Sequence, residues 1–485
     1  MNDRFAVLRT PDWCWTRPRG HTLDMQPVPP LKTKNPPWLR WLIGVLISLP
    51  ILVILLVLLI VGWRWQLKRD VDRQMASLRV QGIPLNGTEL NNFYPAVPDD
   101  RNAALMITQA FALMQEFPDE RQGEITRWKP PSGRSPLDAE DVRRLSSYVE
   151  MNSQATTMGR EACKLPGSRY PVDFSPGIDT LMPHLSKLRE LARCEYYSVF
   201  LNANSDRLEE AAEDVAAVLS LGGTVDAEPT LIAQLVNMAI VAMAETATEY
   251  LLNAGTPSPA MLRDLSDGFA KAARTNRLAL GFTGEVAMMT PLFRMSWAQF
   301  QQFASQTEGA VSVRDEPALI FRVTGFFERD LRFYLSAMQT NIHFAAIAPP
   351  GSLEAVALEP GILAEASDHY YFFSSMLLPA LSKVFVRDAE TTARVRLTQT
   401  ALSVEQYQLK AGHLPNDIDD LVPGYFVEIP TDPFDGEPLR YRRLDRGYMI
   451  YSVGRDGNDD GGREPPPRIN STDTNSYDLT FTVER

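Results

Sequence analysis

Several kinds of chemistry are missing from this sequence of 485 residues. It contains only three cysteines, with no CxxC pair and no zinc-ligand spacing. Five histidines are scattered without metal-ligand spacing, and no GxSxG, HExxH, GxGxxG or Walker sequence occurs. The net charge of −12 is opposite in sign to what binding a phosphate backbone requires. We therefore expect neither a nucleic-acid-binding protein nor an enzyme of a recognisable motif class.

The few reactive side chains leave one enzymatic alternative open. His184 or Cys163 marks a candidate hydrolase site, although no feature that lowers the pKa of a thiol is visible around Cys163. Cys163 and Cys194 either form a disulfide in an oxidising compartment or remain two buried free thiols. We interpret His369 as a helix-face or core residue. We assign three carboxylates to a solvated helix face: Glu209, Glu210 and Asp214.

A long apolar run is the clearest feature near the start of the chain. Residues 41–63 contain no charge, and 23 residues of helix cover about the 30 Å of bilayer hydrocarbon. Four tryptophans flank the run, where indole rings favour the membrane interface: Trp38, Trp41, Trp63 and Trp65. We predict one transmembrane helix, kept as an uncleaved anchor, after a flexible tail of residues 1–40.

Helical periodicity dominates the middle of the chain. We predict an irregular all-α body over residues 70–385, which we call the helical body. Its most apolar stretch, residues 231–245, is short for a membrane span and is interrupted by Gln234 and Asn237, so we expect a buried core helix there. We expect a protein partner, if there is one, to bind this body.

A second pattern begins near residue 386 and continues to the end. A helix of about 40 residues is expected between Tyr371 and Gly412, which is followed by Pro415. Beyond it the apolar period changes to two, which predicts an antiparallel sheet with strands at 425–428, 439–442, 448–452 and 478–483. Residues 386–485, the C-terminal unit, are therefore predicted to be α+β, and the whole chain is predicted to be mainly α.

A run of oxygen-bearing side chains lies inside this unit. Asp456, Asn458 and Asp460 stand at alternate positions and Gly461 follows, as in the first half of a calcium loop. Pro467 occupies the position of the usual closing Glu, so Glu464, Asp473, Asp478 or backbone carbonyls would have to complete the site. The predicted ligands of a structural Ca²⁺ ion are Asp456, Asn458, Asp460, Glu464 and Asp478. The alternative is an acidic turn between two strands.

Three segments in this order resemble the globular part of a type II secretion major pseudopilin. They are Gln406–Pro415 (QYQLKAGHLP), Pro430–Arg442 (PTDPFDGEPLRYR) and Gly447–Gly462 (GYMIYSVGRDGNDDGG). The resemblance covers about 95 residues, and it implies a long helix, a small sheet and a calcium loop in which Asp456 is a ligand. The region after the anchor also resembles uncharacterised membrane-anchored bacterial envelope proteins.

Two departures from the pseudopilin pattern change the functional expectation. No prepilin cleavage motif precedes the anchor, and the similar unit lies at the far end of the chain, so we do not expect a pilus subunit. We expect instead that residues 372–384 pack into the helical body. The function expected is a membrane-anchored envelope protein of structural or interaction type. The alternatives are an accessory component of a type II secretion or pilus-like assembly, and an extracytoplasmic hydrolase.

The expected location is the inner membrane, with the C-terminal body on the periplasmic side. Basic residues after the apolar run outnumber those before it, which by itself favours a cytoplasmic C-terminal side. Large domains, however, cross membranes largely regardless of charge. A calcium loop of extracellular type, with a dissociation constant of about 10⁻⁴–10⁻³ M, functions only where calcium is plentiful.

Overall fold

The computed structural model describes residues 37–117, 119–131, 135–273, 277–306, 325–464 and 477–485. Most of the predicted tail, as well as Asp473 and Pro467, therefore lies outside the described residues. The chain divides into two compact units between Val61 and Gly62. The described residues are mainly helical with one small antiparallel sheet, which confirms the predicted class at this level.

The helices of the described residues are numbered here in chain order. The first eight are α1 (Pro37–Val80), α2 (Gly87–Phe93), α3 (Ala103–Leu113), α4 (Asp119–Arg127), α5 (Ala139–Met151), α6 (Ser153–Ala162), α7 (Pro183–Asn204) and α8 (Leu208–Gly223). The others are α9 (Leu231–Ala254), α10 (Pro259–Ala272), α11 (Arg277–Met289), α12 (Trp297–Gln306), α13 (Phe326–Ala345), α14 (Glu354–Asp368), α15 (Phe372–Leu377) and α16 (Ser382–Ala411).

Two helices of the described residues are long and apolar enough to cross a membrane. One is α1 from Trp41 onward, whose apolar window has no residue buried within the protein. The other is α9, which is 24 residues long, so shortness alone does not exclude a span there. About 61% of the α9 window is buried against other parts of the protein, however. This burial is what the core helix of a folded body requires, because such a helix covers its apolar surface with protein.

The long helix before the sheet is shorter than the sequence suggests. Instead of about 40 continuous residues, the chain forms α15, a 3₁₀ turn at Leu378–Ala380 and then α16, which has 30 residues. The break coincides with Pro379, which has no N–H to donate and whose ring crowds the preceding turn. Gly412 ends α16 as predicted, and it does so in the left-handed conformation.

The sheet contains three of the four predicted strands. Its order is β1 (Arg440–Leu444), β2 (Gly447–Ser452) and β3 (Leu479–Glu484), with both pairings antiparallel. The strand predicted at 425–428 is wrong. There the amides of Tyr425 and Phe426 both donate to the carbonyl oxygen of Leu421, so the segment closes into a turn.

Gly447 shows why the β1–β2 hairpin needs glycine at this point. Its φ is +135°, and a Cβ atom built there would lie 2.0 Å from the carbonyl oxygen of Val483 on the neighbouring strand. A side chain would therefore separate β2 from β3.

The sheet and the helices share one hydrophobic core. The inner faces of β2 and β3, represented by Tyr448 and Phe481, belong to the same buried cluster as Phe200 of α7 and Ala244 of α9. The C-terminal unit therefore has no core separate from that of the helical body.

The helical body contains a second hydrophobic core. It joins the later part of α1, through Val71 and Met75, to α11, α13 and the residues before α16. Phe373, Leu378 and Val384 are buried in it, so residues 372–384 pack into the helical body as expected.

Candidate functional site

The predicted calcium loop is held mainly by hydrogen bonds to its own backbone. The Asp456 carboxylate accepts from the amide of Asn458 at 3.1 Å, and Asp459 accepts from the amide of Gly461 at 2.9 Å. Arg442 of β1 donates to the carbonyl oxygen of Gly461 at 2.8 Å. These contacts are those of a polar turn docked beside a strand, and none of them requires an ion.

Asp478 closes the loop from the start of β3. Its carboxylate accepts from the amide of Gly462 at 2.6 Å and lies 3.4 Å from the amide of Asp460. The side chain is buried, and this burial raises its pKa while the amide contacts oppose the rise. Asp478 thus joins the start of β3 to the acidic loop, 16 to 18 residues earlier in the sequence.

The other described closing ligand, Glu464, bonds to β3. The Glu464 carboxylate accepts from the hydroxyl of Thr482 on β3 at 2.9 Å. Among the described residues, no group of three or more His, Cys, Asp or Glu side chains is placed to hold a metal ion. The structure therefore brings the Asp478 carboxylate to the backbone amide of Asp460, and the Asp456 carboxylate to that of Asn458, but among the described residues it does not gather the five predicted ligands. Calcium binding stays a prediction from the sequence.

A buried aspartate that the sequence analysis missed, Asp432, holds the end of β2 just before this loop. Asp432 is fully buried, and its Oδ2 accepts from the amide of Val453 at 2.8 Å and from Arg440 at 3.0 Å. Its Oδ1 accepts from the hydroxyl of Ser452 at 2.8 Å. Such a carboxylate is stable only because its charge is paired and hydrogen-bonded. The sequence does contain a signal for this contact, since an aspartate between Pro430 and Pro433 is followed by an arginine at the start of the next strand.

Helix α9 provides a polar seam along the outer edge of β3. The amide of Asn253 donates to the carbonyl oxygen of Thr482 at 2.7 Å and accepts from the amide of Glu484 at 2.9 Å. One turn earlier, Glu249 accepts from the amide of Thr482 at 2.9 Å. These bonds satisfy backbone groups that an edge strand would otherwise leave unpaired. We call Glu245, Glu249, Asn253 and Thr256, with their partners in the C-terminal unit, the α9 seam.

Ion pairs complete the α9 seam. Arg394 of α16 lies 3.0 Å from the buried carboxylate of Glu245. At the other end, Glu405 of α16 accepts from Thr256 at 2.7 Å and from Arg485 at 2.5 Å. Glu405 also accepts from the buried hydroxyl of Tyr448 at 2.9 Å. Arg485 also donates to the hydroxyl of Thr256, so the helical body contacts α16, the sheet and the last residue of the chain at once.

His184, a candidate for hydrolysis, lies in a closed environment. Its Nε2 atom is 2.8 Å from the fully buried carboxylate of Glu228, and the ring of Tyr170 stacks on it with centroids 4.5 Å apart. His184 is 9% exposed and Glu228 is fully buried, so the two side chains form a buried polar contact.

The two described cysteines are free thiols, so the free-thiol alternative applies and they form no disulfide. Burial raises the pKa of Cys163 to about 12, and the charge of Glu195 adds to this effect. A thiol with so high a pKa is a poor nucleophile at neutral pH.

The assignment of Asp214 to a solvated helix face is wrong. Asp214 is buried and shares the guanidinium group of Arg160 with Glu195. Burial raises the pKa of Asp214 to about 6, while the hydrogen bond from Arg160 acts in the opposite direction. The helical period correctly placed this residue on α8, but it did not reveal that α6 supplies a cation to that face.

The comparisons with known proteins return nothing: no family model, no curated protein and no solved structure matches the chain. The functional argument therefore depends on the contacts described above.

Proposed function

We propose that this protein is a single-pass, membrane-anchored envelope protein of structural or interaction type. Its helical body holds the C-terminal unit in one fixed orientation, so that the surface opposite the α9 seam faces potential partners. The α9 seam is the observation that carries this proposal, because it joins the helical body to β3 through Asn253, to α16 through Glu245 and to Arg485 through Thr256, in each case by a direct hydrogen bond.

The two edges of the sheet are protected, which favours binding of a partner at the loops or faces over polymerisation by addition of strands. The outer edge of β3 is paired with Asn253 and Glu249. The edge strand β1 carries two exposed cationic side chains, Arg442 and Arg443, a composition that opposes edge-to-edge pairing. Both edges are therefore protected, and a partner would bind the loops or the exposed faces.

The anchor and its orientation can be tested with thiol labelling. Val427 is 95% exposed and belongs to the C-terminal unit, so Val427→Cys places a thiol where a reagent can reach it. In spheroplasts, a membrane-impermeant maleimide should label V427C but not the native Cys14, which precedes the apolar run. The wild-type chain reports background labelling of Cys163. Labelling of Cys14 without lysis, with V427C protected, would contradict the orientation.

Membrane extraction tests the anchor separately. The full chain should stay in the membrane pellet after a high-salt wash, and a chain lacking residues 41–63 should not. If the full chain is released by salt alone, the anchor is wrong.

An accessory role in a type II secretion or pilus-like assembly is a second candidate. The chain runs through α16, β1, β2, an acidic loop at 454–464 and then β3, so it contains the long helix, the small sheet and the loop that the pseudopilin resemblance implies. Photo-cross-linking in cells from position 427 should then recover a pseudopilin. Recovery of other envelope proteins only would support the general interaction role and contradict this narrower one.

A further inference from the structure

A cleft of about 490 Å³ lies between α1, α13 and α14. Leu67 of α1, Phe333 of α13 and Ile362 of α14 give it an apolar wall. Arg329 and Arg332 line the same cleft from α13, and Glu365 lines it from α14. A pocket with this mixture suits a ligand that is polar at one end and apolar at the other.

The two arginines are placed to receive an anion. They are three residues apart on α13, so they lie on the same helix face. Arg329 lies over the ring of Tyr371, 5.7 Å from its centre, and no described carboxylate comes within ion-pair distance of it. Arg332 is largely exposed and lies 3.8 Å from Asp70, which is beyond a good hydrogen bond. Guanidinium groups bind phosphate oxygens in a bidentate manner, and both groups retain free donors.

The position of the cleft along the chain indicates the source of the anion. Trp63, which lines the cleft, is the last residue of the apolar run, and tryptophan favours the membrane interface. Residues 64–79 contain five cations against two acids, a composition that attracts anionic lipid. This step rests on the anchor in the proposed function.

We propose that this cleft binds the headgroup of an anionic phospholipid. The phosphate contacts Arg329 and Arg332, and the glycerol end of the acyl chains lies against Trp63, Leu67 and Ile362. A free phosphate ion would meet the same arginines but would leave these apolar side chains in water. The lipid is therefore the ligand that covers the whole cleft.

A thermal-shift measurement on the full chain in neutral detergent tests the proposal. Short-chain phosphatidylglycerol should raise the Tm. Phosphatidylcholine and phosphatidylethanolamine of the same chain length should raise it less, because their cationic groups offset the phosphate charge, and inorganic phosphate should raise it less because it leaves the apolar wall uncovered. An equal shift with either zwitterionic lipid, or with inorganic phosphate, would overturn the assignment to an anionic lipid.

Matched variants test whether the rise in Tm caused by phosphatidylglycerol depends on the arginines of the cleft. Arg329→Gln combined with Arg332→Gln should abolish the shift caused by phosphatidylglycerol. Arg143→Gln combined with Arg263→Gln removes two exposed arginines elsewhere and should leave that shift unchanged. Arg332→Gln alone is the second variant if the double variant does not fold, because that side chain is largely exposed, and it should reduce the shift. An unchanged shift in the cleft variants would overturn the proposal.

Membrane extraction of the same chains separates this inference from the proposed function. Both wild-type and cleft-variant chains should stay in the membrane pellet. A wild-type chain that stays in the pellet but shows no preference for phosphatidylglycerol overturns the lipid site alone. A wild-type chain released by salt overturns the anchor, and the lipid site with it.

Discussion

The side-chain amide of Asn253 donates a hydrogen bond to the backbone carbonyl oxygen of Thr482 over 2.7 Å, across 229 residues of sequence. The same amide accepts from the backbone of Glu484, so one side chain of α9 takes the place of a neighbouring strand. A sheet of only three strands has little stability by itself. The pairing with α9 explains how this small sheet can be a fixed part of a larger helical protein.

Asn253→Ala should destabilise the protein by about 1–3 kcal/mol, because it leaves backbone groups of Thr482 and Glu484 without partners. Urea unfolding of the full chain in detergent measures the change. Asn92→Ala is the control, since Asn92 is exposed on α2, and it should cost less than about 0.5 kcal/mol. Equal effects of the two variants would show that Asn253 makes no special contribution.

Stability should fall as the pH rises through the pKa of Glu249. Burial, together with the charge of Glu245, raises the pKa of Glu249 to about 8 from an ordinary value of 4.5. A carboxyl group whose pKa is raised on folding contributes stability fully below pH 4.5 and loses that contribution as the pH passes about 8.

Glu249→Gln keeps an oxygen to accept from Thr482 but cannot ionise, so this variant should lose less stability than the wild type between those two pH values. Urea unfolding at each pH measures the difference. Parallel pH profiles for the two proteins would show that Glu249 does not titrate in this range.

Asp432 and Asp435 both pair with Arg440, and they form a matched comparison. Asp432→Asn should cost about 3–5 kcal/mol, because it removes the charge of a fully buried carboxylate that pairs with Arg440 and turns an amide group toward existing donors. Asp435→Asn removes a partly exposed pair and should cost less than about 1 kcal/mol. Thermal unfolding measures both variants, and a similar loss in the two would contradict the central role of Asp432.

Calcium binding predicts a separate effect on stability. An ion that binds only the folded state adds about 2.7 kcal/mol at a hundredfold excess over its dissociation constant. The Tm should therefore rise with calcium and fall with chelator, and Asp456→Asn with Asp460→Asn should remove the response. Glu437→Gln, an exposed change in the same unit, should retain it. If chelator leaves the wild-type Tm unchanged, the acidic run is only a turn.

Local sequence patterns predicted the kinds of element well, and tertiary contacts poorly. Alternating apolar residues located β1, β2 and β3, because side chains in a strand repeat with period two. The same alternation failed at 425–428, because an apolar alternation does not supply a neighbouring strand with which to pair. The predicted helix of about 40 residues contains Pro379, and the chain breaks there into a 3₁₀ turn because proline has no N–H to donate to the helix.

The candidate site could be predicted only in part. The acidic run around Asp456 is a local motif and was found, whereas the partners of its side chains were not predicted. The Asn253–Thr482 contact joins segments with no shared pattern, and Asp214 pairs with an arginine from another helix. Such pairings depend on how helices pack, and neither helical period nor charge spacing encodes that directly.

Native-state hydrogen exchange of the full chain in detergent tests the central claim most directly. The claim is that the C-terminal unit and the helical body open together. The amides of β3 and those of α9 should then exchange with the same opening free energy, and Asn253→Ala should lower both by a similar amount. Exchange of the β3 amides through a separate, lower-energy opening, with α9 still protected, would contradict the account.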